Sequence, residues 1–282
     1  MKQTITTILL FMSSSIFAQE IEVFPQGSIN ETEVYVEKDD LSGNTLAGKT
    51  VCRKTDVGAP TFTIYKAYKR KASSKTIVVC PGGAYHILSM DSEGSEICDL
   101  INKAGYDAVL LKYRVPRRKG REKHEAPLED LQRTISMIRA KGKEYGINST
   151  KVGVIGFSAG AHLAVTSCCN ERIYASIDKV ETFSCRPDFV ALIYPAYLSG
   201  ENFELASDIT VTEKTPPTFI AQSEDDKNFI NSSLFYYYAL KNKGVPTTLH
   251  LYPNGGHGYG ARNTGSVSAS WPLRFIEWLK EI

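Results

Sequence analysis

The chain has 282 residues, of which 42% are hydrophobic and 23% charged, ordinary values for a folded protein that argue against long disorder. That length is enough for one α/β domain with a substantial core. A formal net charge of +2 is too small to point to a nucleic-acid partner.

Residues 1–18 read as a signal peptide rather than as part of the fold. Lys2 gives a basic start, Ile8 to Met12 an apolar stretch, and Ser13 to Ala18 a small-residue end. The stretch is too short to span a bilayer, so no membrane insertion is expected. Export, to periplasm or medium, is the expectation, with residues 19–282 forming a single domain. The six cysteines, at 52, 80, 98, 168, 169 and 185, would then meet an oxidising compartment. Cys80 ends the apolar run from Ile77 and reads as a small core residue. Pairing of Cys168 or Cys169 with Cys185 is one open connectivity.

Glu33–Glu37, Lys49–Cys52 and Thr61–Lys66 alternate or run apolar, as antiparallel edge strands do. From Lys75 the pattern changes. Thr76–Cys80 is a buried strand, Ile97, Leu100, Ile101 and Ala104 form a helical stripe, and Asp107–Lys112 is again a strand. Pro127 opens a helix striped by Leu128, Leu131, Ile135 and Ile138 that ends near Gly146. After the strand that starts at Lys151 come strands at Phe189–Tyr194, Pro217–Ala221 and Thr247–Tyr252. A helix over Asn231–Lys243 lies between the last two, and a final helix carries Trp271, Phe275, Trp278, Leu279 and Ile282. Such alternation predicts an α/β fold with a mostly parallel, doubly wound sheet and helices on both faces. No repeat or linker divides the chain. Pro195 to Pro216 holds no helix pair, so no large lid domain is expected.

The chemistry is expected beyond the carboxyl ends of those strands. Gly156-Phe-Ser158-Ala-Gly160 lies between a strand and a helix, the context of a nucleophile elbow. After Cys80, Gly82 and Gly83 allow backbone N–H groups to face an oxyanion, with the N–H of Ala159 as a second donor. Glu224, Asp225 and Asp226 follow the strand ending at Ala221. Asp225 is chosen on its spacing to a packing position, here Asn228, and Asp226 stays open. His257, in the glycine-rich run Asn254–Gly260, follows the last strand and completes the order Ser, Asp, His. His86 and Tyr85, beside the oxyanion loop, are candidates to line the pocket, while His162 reads as a packed helix residue. No grouping has metal-ligand spacing and no phosphate-binding loop appears, so neither metal nor cofactor is expected.

Cys80–Tyr85, Leu111–Pro116, Ala126–Arg133, Gly156–Leu163, Arg186–Pro195 and Leu251–His257 together resemble the bacterial esterase/lipase-type α/β-hydrolases, nearest to the acetylxylan-esterase-like and feruloyl-esterase-like branch. The resemblance covers roughly residues 60–282. It implies an eight-stranded α/β-hydrolase sheet, a Ser158–His257–Asp225 triad and a Gly82–Gly83 oxyanion loop. Ala84 and Ala161 stand where such proteins usually have glycine, and Ala84 is expected to narrow the acyl pocket.

The reading that follows is a secreted serine esterase removing acetyl groups from plant-type polysaccharides, with a small ester or acylated carbohydrate as its partner. Feruloyl esterase, a dipeptidyl-peptidase-like peptidase and a non-catalytic binding protein are the rivals. The run from Arg117 through Arg118 to Lys123 sets five cations against Glu122 at the carboxyl edge of the sheet. A solvated loop is the ordinary reading of such a run; steering of acidic glycans, with Arg117 and Arg118 in contact, is the sharper one. Oligomeric state is not legible.

Overall fold

The structure, a computed structural model, describes residues 20–282 apart from 30, 32, 41–43 and 71–73. The signal-peptide assignment falls outside the described residues. In chain order the strands and helices are β1 (Glu20–Glu22), β2 (Lys38–Asp40), β3 (Thr45–Leu46), β4 (Lys49–Thr50), β5 (Arg53–Thr55), β6 (Thr61–Tyr65), β7 (Thr76–Cys80), β8 (Ile87–Ser89), α1 (Glu96–Lys103), β9 (Asp107–Lys112), α2 (Glu125–Tyr145), β10 (Val152–Phe157), α3 (Ala159–Cys169), β11 (Val190–Ile193), β12 (Thr218–Ser223), α4 (Ile230–Asn242), β13 (Thr247–Tyr252) and α5 (Trp271–Glu281).

Eight strands form one sheet in the order β1-β6-β9-β7-β10-β11-β12-β13. The run from β9 to β13 is parallel, and β6 and β1 close one edge in antiparallel pairing. Strands covered on both faces need apolar residues at odd and even positions alike, as β7, β10 and β11 show. Val78, Cys80, Val154 and Leu192 face α2, α3 and α4. Their neighbours Ile77, Val79, Ile155 and Ile193 face α1 and α5. Fully burying one such side chain contributes about 1.5–3 kcal/mol. The expected class is therefore observed, with no lid domain between β11 and β12.

The N-terminal third departs from expectation. Residues 33–37 form no strand; Lys38–Asp40 pairs with Arg53–Thr55 instead, and β5 pairs in turn with Ile87–Ser89. This makes a second, three-stranded sheet, a wall over the mouth of the main one. Arg262 fastens it. Its guanidinium donates to the carbonyls of Lys49 and Thr50 at 3.0 and 3.1 Å and pairs with Asp91 and Glu96, each at 2.8 Å.

The pairing left open by the sequence is not formed: all six cysteines are free thiols. Cys168 turns back to the Ala164 carbonyl along α3, and Cys169 donates to the carbonyl of Thr210.

Candidate active site

β10 runs into α3 through Ser158, whose φ of 52° and ψ of −115° leave it outside the ordinary regions for a side-chain-bearing residue. The two glycines are what make the turn possible. A Cβ on Gly156 would lie 2.1 Å from the Gly160 carbonyl oxygen, and one on Gly160 would lie 2.2 Å from that of Cys80. Strand, turn and helix therefore touch through bare backbone, and the serine projects above the carboxyl edge of the sheet.

His257 Nε2 lies 2.8 Å from Ser158 Oγ, and Nδ1 lies 2.7 Å from Asp226 Oδ2. Its ring packs edge-on against Tyr194 and tilted over Phe229, with centroids 5.0 and 4.8 Å away. The carboxylate in contact with the imidazole is thus Asp226, not the expected Asp225. The turn after β12 directs Asp226 inward, where Gln222 Nε2 and the Phe229 N–H also donate to it. Burial opposes its charge, but the His257 contact and these donors outweigh that and hold its carboxyl below the usual range. Asp225 points outward and accepts from the N–H groups of Gly255 and Gly256 at 3.2 and 2.8 Å. It braces the loop that carries the base.

The oxyanion loop also needs a correction. The Gly82 N–H donates to Glu93 Oε2 at 2.7 Å, so it is not free for a ligand. Of the three N–H groups expected there, this is the one with an acceptor among the described residues; those of Gly83 and Ala159 have none among them. Gly83 needs its freedom, with φ of 137° and the Ile87 carbonyl where a Cβ would stand. Glu93 was missed by sequence reasoning, since a glutamate in a polar stretch carries no motif. It is buried, receives the Tyr194 hydroxyl on Oε1 at 2.7 Å, and has its carboxyl pushed above the usual range by that burial.

An open cleft of about 450 Å³ lies above Ser158, with Ala84, His86, Tyr197 and Phe229 among its walls. His86 is therefore placed as expected. Tyr85 is not: it is buried beneath the loop, its hydroxyl 2.8 Å from His162 Nδ1. Arg118 is not at the cleft surface either. It is buried, paired with Glu31 at 2.9 Å and stacked over Tyr35. Arg121 and Lys123 are likewise paired, with Glu125 and Glu129 and with Asp208, so three of the five cations of that run are neutralised locally. Arg117 stays exposed and donates to the Ala84 carbonyl at 3.1 Å.

The fold also gathers residues that linear spacing kept apart. One ligand-type atom each from His124, His162 and Asp208 lies within 4.8 Å of the others. Asp208 accepts from His162 Nε2 at 3.1 Å and pairs with Lys123 at 3.5 Å, so the group reads as an ion-pair network supporting α3.

Comparison with known proteins finds esterases among those the chain is similar to. The BD-FAE family model matches residues 62–193. An acetylxylan esterase from Xylanibacter ruminicola is 28% identical over 235 residues, covering 74% of this chain and 46% of that protein. Endo-1,4-beta-xylanase B from Butyrivibrio fibrisolvens is 28% identical over 66% of this chain and 33% of its own. The chain thus spans less than half the length of these curated relatives. The crystal structure of an acetyl ester-xyloside bifunctional hydrolase from Caldicellulosiruptor lactoaceticus is 27% identical with a TM-score of 0.71, covering 94% of this chain and 96% of that one. On fold, elbow and likeness together, the chain has the α/β-hydrolase fold and is similar to esterases built on it.

Proposed function

We propose that the protein is a serine carboxylic-ester hydrolase that removes small acyl groups, acetyl foremost, from xylan-related saccharides. The observation that carries this is the continuous contact Ser158–His257–Asp226, at 2.8 and 2.7 Å, at the mouth of an open cleft. His257 Nε2 takes the Oγ proton as Ser158 attacks the ester carbonyl, and returns it to the departing alcohol. Water, activated by the same nitrogen, then releases the acyl group. Asp226 holds the imidazole in the tautomer with its proton on Nδ1 and stabilises the imidazolium. The N–H groups of Gly83 and Ala159 receive the oxyanion, a contribution of about 3 kcal/mol for each such donor.

Three things support the substrate class: the relatives named above, a cleft with no lid domain over it, and Ala84 at its wall. The signal-like sequence of residues 1–18 supports an exported location.

The test is acetate release from acetylated xylo-oligosaccharides, alongside nitrophenyl acetate and nitrophenyl octanoate. Ser158→Ala is expected to abolish all release while leaving the circular dichroism spectrum unchanged, and the parent to favour acetate over octanoate. Undiminished hydrolysis by Ser158→Ala, or faster release of ferulate than of acetate from feruloylated arabinoxylan, overturns the reading.

A further inference from the structure

Arg53 belongs to none of the motifs, yet it lines the same cleft as Ser158 and His257. It reaches there from β5, in the small sheet, where strand alternation sends the next residue the other way: Lys54 pairs with Glu37 and Asp39 at 3.0 and 2.7 Å. Arg53 itself makes no ion pair among the described residues, and its buried Nε has no hydrogen-bond partner. The half-buried Arg139 and Arg172 also leave Nε unpartnered, but neither lines this cleft, and Arg53 differs as well from the four buried arginines among the described residues. Arg114, Arg118, Arg133 and Arg262 each hold a carboxylate within 3.0 Å.

A half-buried guanidinium with an unmade hydrogen bond is costly to keep. The acid facing it across the cleft is Glu93, and both oxygens of Glu93 are occupied, by the Gly82 N–H and the Tyr194 hydroxyl. The remaining walls near it are neutral or apolar: Ser89, Ile87, Tyr197 and Phe229, with His86 at the rim. The cleft therefore presents a planar cationic fork that feels the charge of Glu93 through space but makes no ion pair with it. A guanidinium in this state is matched by a carboxylate, which accepts two of its N–H groups at once.

We propose that Arg53 binds a carboxylate carried by the ester substrate, so that the cleft selects acidic esters over their neutral counterparts. The inference rests on the esterase reading above and narrows its substrate class. It also relocates the acidic-glycan hypothesis from the surface run, whose Arg118 is already neutralised, to the cleft itself. The carboxylate can sit on either side of the scissile bond: on the alcohol, as in an acetylated hexuronic acid, or on the acyl group, as in a half-ester of a dicarboxylic acid.

Two matched pairs separate these sources: acetylated methyl glucuronoside against acetylated methyl glucoside, and nitrophenyl hemisuccinate against nitrophenyl butyrate. The parent is expected to show a kcat/KM at least about tenfold higher for the acidic member of one pair, carried by KM. Arg53→Gln should collapse that ratio toward one, and Arg53→Lys should retain part of it. With the parent protein alone, the preference should fall as salt rises from low to physiological strength and beyond. Binding of the first pair to Ser158→Ala, with and without Arg53→Gln, is read by calorimetry without any turnover. Tighter, Arg53-dependent binding of the glucuronoside supports the inference even where no ester is cleaved, in which case only the esterase reading falls. An acid-to-neutral ratio near one in both pairs, or one that Arg53→Gln and salt leave untouched, overturns it.

Discussion

At the scale of single residues, the two adjacent acids after β12 divide the work on His257. Asp226 touches the imidazole; Asp225 touches the backbone of the loop that holds it. Asp226→Asn is therefore expected to lower kcat by about 10⁴, because an amide presents the wrong partner to Nδ1–H and favours the wrong tautomer. Asp225→Asn keeps one acceptor oxygen for Gly256 and should cost less than tenfold. Steady-state kinetics on nitrophenyl acetate decides it, and the reverse ranking would return the triad to Asp225. Ser158 and His257 were legible in the sequence because glycines mark both and chain order links them. Which of two neighbouring carboxylates turns inward was not, since it depends on Gln222 and Phe229 meeting Asp226 in three dimensions. Arg53 and Glu93 were invisible for a similar reason: only the fold brings them to the cleft.

At the scale of elements, the elbow is a contact between backbones, and its tolerance for a methyl group is close to none. Gly160→Ala would force a Cβ to within 2.2 Å of the Cys80 carbonyl, pushing α3 away from β7. A loss of several kcal/mol is expected, beyond the range of ordinary overpacking. Thermal unfolding should show it as a drop of well over about 5 °C or as insoluble protein. A variant within 1 °C of the parent would mean the elbow has slack that these distances deny. The parallel strands were legible because burial on both faces demands continuous apolar runs. The strands of the small sheet are three residues long, and two of them, Lys38–Asp40 and Arg53–Thr55, are polar. Their pairing is set by what they cover, not by any periodicity of their own.

At the scale of the whole molecule, buried histidines tie stability to pH. Burial pushes His124 down to about 4, and it also lowers His162, so both are neutral in the folded protein. The unfolded chain protonates them near 6.5. Between those values the unfolded state binds more protons, so stability is full above about pH 6.5 and is lost as pH falls toward 4. For His124 alone the loss is about 3 kcal/mol across that window. Urea midpoints measured from pH 7 to pH 4.5 should fall, and His124→Gln should flatten the slope; an unchanged slope would rule out this histidine as its source. Arg262 has a consequence of another kind. It stands five residues beyond the base, yet it grips carbonyls from residues 49 and 50 and acids from the segment between. One wall of the cleft is thus held by a seam between an early and a late stretch of the chain. Ester cleavage should then disappear in urea at or before the loss of tryptophan fluorescence, never after it, and should do so earlier in Arg262→Met. Activity in this molecule is a late reporter: a chain whose early and late stretches have not yet met is chemically silent.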